Sequence, residues 1–223
     1  MFDKQILQIA GVLDKNDAFT IIDAGIKYIG FPLVLGYHIE DMDKHVTRSV
    51  INALPAETIP VLITYLDKAK DIITLSEYIG AKMIQVHGDI SLAELTKLKN
   101  DNMNIKIIKS IIIHNNSKVD FDLLNVQSKL CDYFITDTHD ELSGAAGATG
   151  KTHDWNISRD ICAQNETPVI LAGGLNHTNV ADAILHVNPA GVDAHTGVED
   201  ASGRKSHNKM CKFREEAMSA FSK

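Results

Sequence analysis

Apolar positions fall into eight short blocks, separated by longer stretches with a helical rhythm. The blocks are Ile6–Ala10, Tyr28–Phe31, Pro60–Thr64, Met83–His87, Ile105–Ile113, Tyr133–Thr136, Pro168–Ala172 and Gly191–Ala194. Most are continuous rather than alternating, the pattern of strands covered on both faces. Helix-start signals lie between them: Asn16-Asp17, Asp67, Ser91 with Glu94 as a capping box, and Asn176. Blocks recur every 20 to 35 residues or so, roughly the size of a strand–helix unit. Eight such units in 223 residues predict an α/β protein with a (β/α)8 TIM barrel, near the small end of that architecture. A doubly wound open sheet is the alternative that periodicity leaves open. No Pro/Ser-rich linker divides the chain, so residues 1–223 read as a single barrel domain. In a barrel, the residues just after each strand share one rim, where chemistry is found.

Charge and cysteine usage narrow the function classes. Lys and Arg total 22 against 29 Asp and Glu, a net charge of −7. That argues against a general nucleic-acid binder, which needs a basic surface. No apolar run reaches the ~18 residues of a spanning helix. The first residues are too interrupted for a signal peptide, so no membrane partner is expected. Three cysteines without metal-type spacing point to a reduced, cytoplasmic setting. Cys162 and Cys211 read as core-facing helix residues and Cys131 precedes the sixth strand, so no cysteine nucleophile is expected.

The strand ends carry the candidate chemistry. After the seventh strand stand Gly173-Gly174 and Asn176; after the eighth, His195-Thr196-Gly197. Either pair of turn residues could be a mere turn. Both together, in this order, suit a phosphate held on backbone N–H groups of Gly173, Gly174, Thr196 and Gly197. Ser143–Thr152 resembles a P-loop but lacks glycine at Ala145, and it reads better as a flap over the mouth. Asp137, at the end of the sixth strand, is placed either as a general acid or base or as a loop aspartate. Of ten histidines, His87, His114 and His195 fall at strand ends, with His38 and His139 in adjoining loops. They could be acid–base groups or ligands to a divalent metal; no tight metal spacing is present, so neither metal nor cofactor is assigned. His45, His177, His186 and His207 fall in helical patterns. Trp155 is expected to pack where the flap rejoins the barrel.

At these residues the chain resembles phosphoribosylanthranilate isomerase of tryptophan biosynthesis, a (β/α)8 enzyme family. The resemblance is strongest in Leu171–Asn176 with Asn179-Val180, in Gly191-Val192-Asp193 with Thr196–Glu199, and in Gly147–Trp155. Gln85–Asp89, Asp17-Ala18 and Ala24-Gly25 also match. The family performs an Amadori rearrangement: a general acid opens the ribose ring, and a general base then takes the C2 proton of the imine. The resemblance implies that Asp137 is the acid and that the two glycine loops hold the substrate phosphate.

Two departures stand out. The family's first strand ends Lys-Ile-Cys-Gly, with the cysteine as base; here it reads Gln8-Ile9-Ala10-Gly11. The family's arginine after the second strand, which faces the anthranilate carboxylate, is replaced by a segment containing Tyr37 and His38, with no arginine before Arg48. An alanine accepts no proton, so phosphoribosylanthranilate should turn over poorly unless another residue, His87 or His195, supplies the base. The expected site is Asp137, His87 and His195 for catalysis, the glycine loops for phosphate, and Tyr37, His38 and Asp193 for the rest of the substrate. The leading expectation is an isomerase acting on a phosphorylated sugar derivative, as a monomer or homodimer. A metal-assisted phosphosugar epimerase or lyase, and a silent phosphometabolite-binding barrel, are the alternatives.

Overall fold

In the computed structural model of the protein, the described residues are 5–35, 42–101, 104–113, 119–140, 145–146, 152 and 154–223. Tyr37, His38, His114, the Gly147–Lys151 stretch and His153 lie outside them.

Eight barrel strands alternate with eight helices. The strands are β1 (Ile6–Ala10), β2 (Tyr28–Pro32), β3 (Ile59–Thr64), β4 (Met83–Val86), β5 (Lys106–Ile113), β6 (Tyr133–Asp140), β7 (Val169–Leu171) and β8 (Gly191–Ala194). After them in turn come α1 (Lys15–Asp23), α2 (Lys44–Asn52), α3 (Ala69–Ile79), α4 (Leu92–Asp101), α5 (Phe121–Gln127), α6 (Trp155–Gln164), α7 (Val180–Val187) and α8 (His207–Phe221). Every barrel strand pairs in parallel with its sequence neighbours, and β8 returns to β1 through Gln8↔Asp193 and Ile9↔Ala194. The sheet is closed. That excludes the open doubly wound alternative, because an open sheet would leave two unpaired edges.

Alternation along the strands sorts side chains into two layers. Ile6, Ala10, Val61, Ile63, Met83, Ile108, Ile135, Ile170 and Ala172 form the barrel interior. The intervening positions, such as Ile9, Ile29, Phe31 and Leu62, pack outward against the helices. Phe31, Phe134 and Phe213 are essentially sealed from water, each such burial contributing about 1.5–3 kcal/mol. α7 shows how helices join this layer: Val180, Ala183, Ile184 and Val187 are buried, at the three- and four-residue spacing that makes one apolar face.

Helix starts depart slightly from the expected residues. α1 begins at Lys15 because the Asp14 carboxylate accepts from the Asp17 amide at 3.0 Å. α3 begins at Ala69, after Lys68, which makes no side-chain cap. Its cap comes from α4 instead: Glu94 Oε2 accepts from the Ala69 amide at 2.9 Å. Ser91 still accepts from the Glu94 amide at 3.2 Å. Asn179, not Asn176, stands at the N-cap of α7.

β6 is longer than the apolar block Tyr133–Thr136. It continues to Asp140 because His139 and Asp140 pair antiparallel with Ala146 and Ala145. Asp137 therefore sits inside the strand, opposite Ile112 of β5, rather than after it.

Candidate active site

The parity that buries Ile6, Ala10 and Met83 also points Gln8 and Gln85 inward. Both amides are buried, and Gln8 Nε2 donates to Gln85 Oε1 at 3.1 Å across the barrel. Gln85 Nε2 lies 3.4 Å from His87 Nδ1, and Ser110 Oγ lies 3.0 Å from the same nitrogen. His87 itself is buried, and its ring packs against Tyr65 with centroids 4.9 Å apart. Next to Gln8 in the opposite direction stands Asp193, its register partner on β8, close enough for the Gln8 side chain to favour the charged carboxylate. Burial pushes Asp193 up to about 7, with the Asp137 charge adding to it and Gln8 and Lys205 opposing it. Asp193 Oδ1 and Gln8 Oε1 are both buried without a hydrogen-bond partner.

Asp137 is buried, and its Oδ1 accepts from the Thr138 amide at 2.7 Å. Burial first, and the Asp137 charge second, push the Tyr65 hydroxyl up to about 12. Asp137, Asp193, Tyr65 and His87 thus share one end of the barrel interior. Ala10 stands two residues beyond Gln8 at the end of β1, with its side chain in the barrel interior. A Cβ placed on Gly30 would lie 2.7 Å from Ile63 Cδ1 and 3.0 Å from the Ala10 methyl, so glycine at this position lets β1, β2 and β3 pack closely.

The two glycine loops meet beside this cluster. Gly173 and Gly174 have φ of 91° and 63°, a backbone conformation that side chains other than glycine rarely adopt. Their amides find no acceptor among the described residues. The loop is fixed from behind: Asn179 Nδ2 donates to Gly174 O at 3.0 Å and Asn179 Oδ1 accepts from the Asn176 amide at 2.8 Å. Gly197, in a 3-10 turn over Thr196–Val198, approaches so closely that a Cβ would collide with Leu175 O. Backbone contact between the loops is what brings Gly173, Gly174, Thr196 and Gly197 to one place.

His195 is held differently from His87. Its ring lies over Gly11, where a Cβ would collide with it, and Nε2 is 3.5 Å from Glu199 Oε1. Burial, reinforced by the Lys205 ammonium, brings its pKa down to about 3 although 28% of the side chain is accessible. Lys205 is sealed, donating to Glu199 Oε1 at 2.7 Å and to His195 O at 3.3 Å. On the outer side of this loop, Arg204 grips both oxygens of Asp14 at 2.7 Å and Asp17 Oδ1 at 3.1 Å.

The expected residues Asp137, His87, Asp193 and the two loops therefore converge, whereas Tyr37 and His38 lie outside the described residues. For His139 only the backbone is described. His177 lies in the loop before α7, not in a helix, because α7 starts only at Val180. Sequence reasoning missed Gln8, Gln85, Ser110, Tyr65 and Lys205. The strand parity of Gln8 and Gln85 within apolar blocks was the available signal. Among the described residues, no three His, Cys, Asp or Glu side chains gather as a metal site, and no helix is long and apolar enough to cross a membrane.

Residues 7–216 match the family model of N-(5'-phosphoribosyl)anthranilate (PRA) isomerase. The chain belongs to that family. N-(5'-phosphoribosyl)anthranilate isomerase 2 of Methanosarcina mazei is 34% identical over 97% of this chain and 96% of its own length. The isomerase of Methanothrix thermoacetophila is 30% identical over 93% and 95%. The crystal structure of phosphoribosyl anthranilate isomerase from Thermotoga maritima shares the fold, with a TM-score of 0.78 at 22% identity over 96% of this chain and 99% of that one. A PRA isomerase bound to reduced 1-(o-carboxyphenylamino)-1-deoxyribulose 5-phosphate superposes with a TM-score of 0.76 at 21% identity, covering 96% and 99%.

Proposed function

We propose that this barrel isomerises a phosphorylated sugar derivative from aldose to ketose, the substrate being N-(5'-phosphoribosyl)anthranilate as in the names of its relatives. The observation that carries the reading is the convergence of Asp137 and His87 on the mouth beside the joined glycine loops. The amides of Gly173 and Gly174, with the Thr196–Gly197 turn, would hold the phosphate and fix the sugar's distance from the interior groups. Asp137, in its protonated form, gives a proton to the ribose ring oxygen as the C1–O bond breaks, the nitrogen lone pair forms the C1=N bond, and the carboxylate is left ionised.

His87 then takes the C2 proton. The C–H electrons become a C1=C2 bond, the iminium is neutralised, and the resulting enol tautomerises to the ketone. We assign the base to His87 over His195. An imidazole whose pKa is near 3 is a weak proton acceptor, and the His195 ring is spent on packing against Gly11. Asp193 acts from beneath, on the polar network, and Tyr37 and His38 are assigned to the aryl end of the substrate.

The test is steady-state loss of anthranilate fluorescence. His87→Gln should reduce kcat by about 10²-fold or more, the usual scale for a positioned base. His195→Gln should change it by less than about threefold. An unchanged His87→Gln enzyme would remove His87 from the reaction.

A further inference from the structure

The polar residues inside the barrel form a line: Asp193, Gln8, Gln85, His87. It runs from β8 through β1 and β4 to the end of β4, between residues 77 positions apart at its centre. We infer that Gln8 and Gln85 are positioning residues, forming an amide relay that sets which nitrogen of His87 carries hydrogen according to whether Asp193 holds a proton.

The argument begins with donors and acceptors. An ionised Asp193 only accepts, so Gln8 must turn its NH2 toward it. The second hydrogen of that NH2 meets Gln85 Oε1 at 3.1 Å. Gln85 then presents its own NH2 to His87 Nδ1. An amide nitrogen cannot accept, so Nδ1 is bare and the hydrogen sits on Nε2. Ser110 Oγ donates to the same Nδ1. This arrangement leaves Gln8 Oε1 without a donor, which is what the structure shows.

A protonated Asp193 reverses every arrow. Its O–H needs an acceptor, and Gln8 supplies one by turning its amide through 180°, an exchange of nearly isosteric ends. Gln85 must then donate to Gln8 and accept from His87, so Nδ1 carries the hydrogen and the Ser110 hydroxyl rotates to accept. His87 Nε2 then carries no hydrogen, the form that can take a proton. His87 carries one ring hydrogen in either state of the relay. Its hydrogen moves between nitrogens by exchange with water, and only Asp193 gains or loses a proton.

Other charges facing the relay bias its position without replacing it. Asp137 from β6 favours protonated Asp193, and Lys205 from the loop after β8 opposes it. Around His87 stand Tyr65 and the Lys109 ammonium, which donates to Gly88 O at 3.2 Å. His195 stands two residues beyond Asp193 and stays neutral through the same range. The lysine that the family resemblance places at position 8 could only donate, so the reversal depends on Gln8. The functional meaning rests on the proposal that His87 is the base; the relay itself does not.

The test uses the whole protein without substrate. Histidine is labelled with 15N and the Asp carboxyls with 13C, with signals assigned through His87→Gln and Asp193→Asn. Over the range where His87 is neutral, the ring should change from the Nδ1–H to the Nε2–H tautomer as pH rises, with the midpoint of the Asp193 carboxyl. In Gln8→Met and Gln8→Lys the coupled change should vanish while the His87 signals remain those of a folded protein. A tautomer that stays constant in the wild type, or the same transition surviving in Gln8→Met, would overturn the relay. So would a ring that becomes charged before Asp193 takes up its proton. Turnover of phosphoribosylanthranilate reports separately on the isomerase reading.

Discussion

Asp137, Asp193 and His195 lie within a few residues of the same mouth, yet their surroundings ask different things of them. Asp137→Asn should keep the fold and the affinity for inorganic phosphate while lowering turnover by about two orders of magnitude, the scale of a lost acid. Isothermal titration with phosphate and fluorescence-monitored turnover measure the two halves. Asp193 and His195 leave a signature in stability. The folded pKa of Asp193, about 7, lies above that of an unfolded aspartate, so its contribution is present at low pH and lost as pH rises from about 4 to 7. His195 is depressed to about 3, so its contribution is present above pH 6.5 or so and lost as pH falls toward 3. The two slopes oppose each other between about pH 4 and 6.5. Asp193→Asn should therefore unmask the histidine slope: its melting temperature should rise with pH up to about 6.5 and exceed the wild type most at pH 8. Parallel curves for the two proteins would contradict the buried-carboxyl reading of Asp193.

The elements were largely legible in the sequence, and the exceptions have physical causes. Continuous apolar blocks located all eight strands, because a strand covered on both faces has no polar side to mark. The extension of β6 was invisible because His139–Asp140 is held by pairing with Ala145–Ala146, a contact no apolar pattern encodes. The cap of α3 was misassigned for a similar reason, since Glu94 reaches it from the next helix. The glycine loops were legible as turns, but their joining rests on Gly197 lying against Leu175 O. Gly197→Ala should force the loops apart, weakening inorganic phosphate by about tenfold or more, or ~1.4 kcal/mol, with a smaller effect on melting temperature. Phosphate affinity equal to the wild type would show that the two loops do not share one anion.

Closure of the whole barrel is what turns separate strand ends into one site. β1 lies between β2 and β8, so Gln8 meets Asp193 beside it and Gln85 across the interior. That network could not be read from the chain: Gln8 and Gln85 each sit in an apolar block, and only the register of the closed sheet brings them together. Arg204 braces the same seam from outside, joining the loop after β8 to Asp14 and to Asp17, which is itself buried. Arg204→Met should lower the melting temperature more than other surface arginine changes, because it leaves the Asp17 carboxylate buried without its cation. Calorimetry of Arg204→Met beside Arg159→Met provides the comparison.

The most direct measurement concerns the residue that does not fit its family. Wild-type protein, carrying Ala10, is mixed with phosphoribosylanthranilate, and the loss of anthranilate fluorescence is followed beside Ala10→Cys, His87→Gln and the double variant. If His87 supplies the base, the wild type turns over, His87→Gln falls by about 10²-fold or more, and Ala10→Cys adds little while His87 is present. No turnover by the wild type, with activity appearing only in Ala10→Cys, would contradict this assignment and show that the thiol's place has stayed empty.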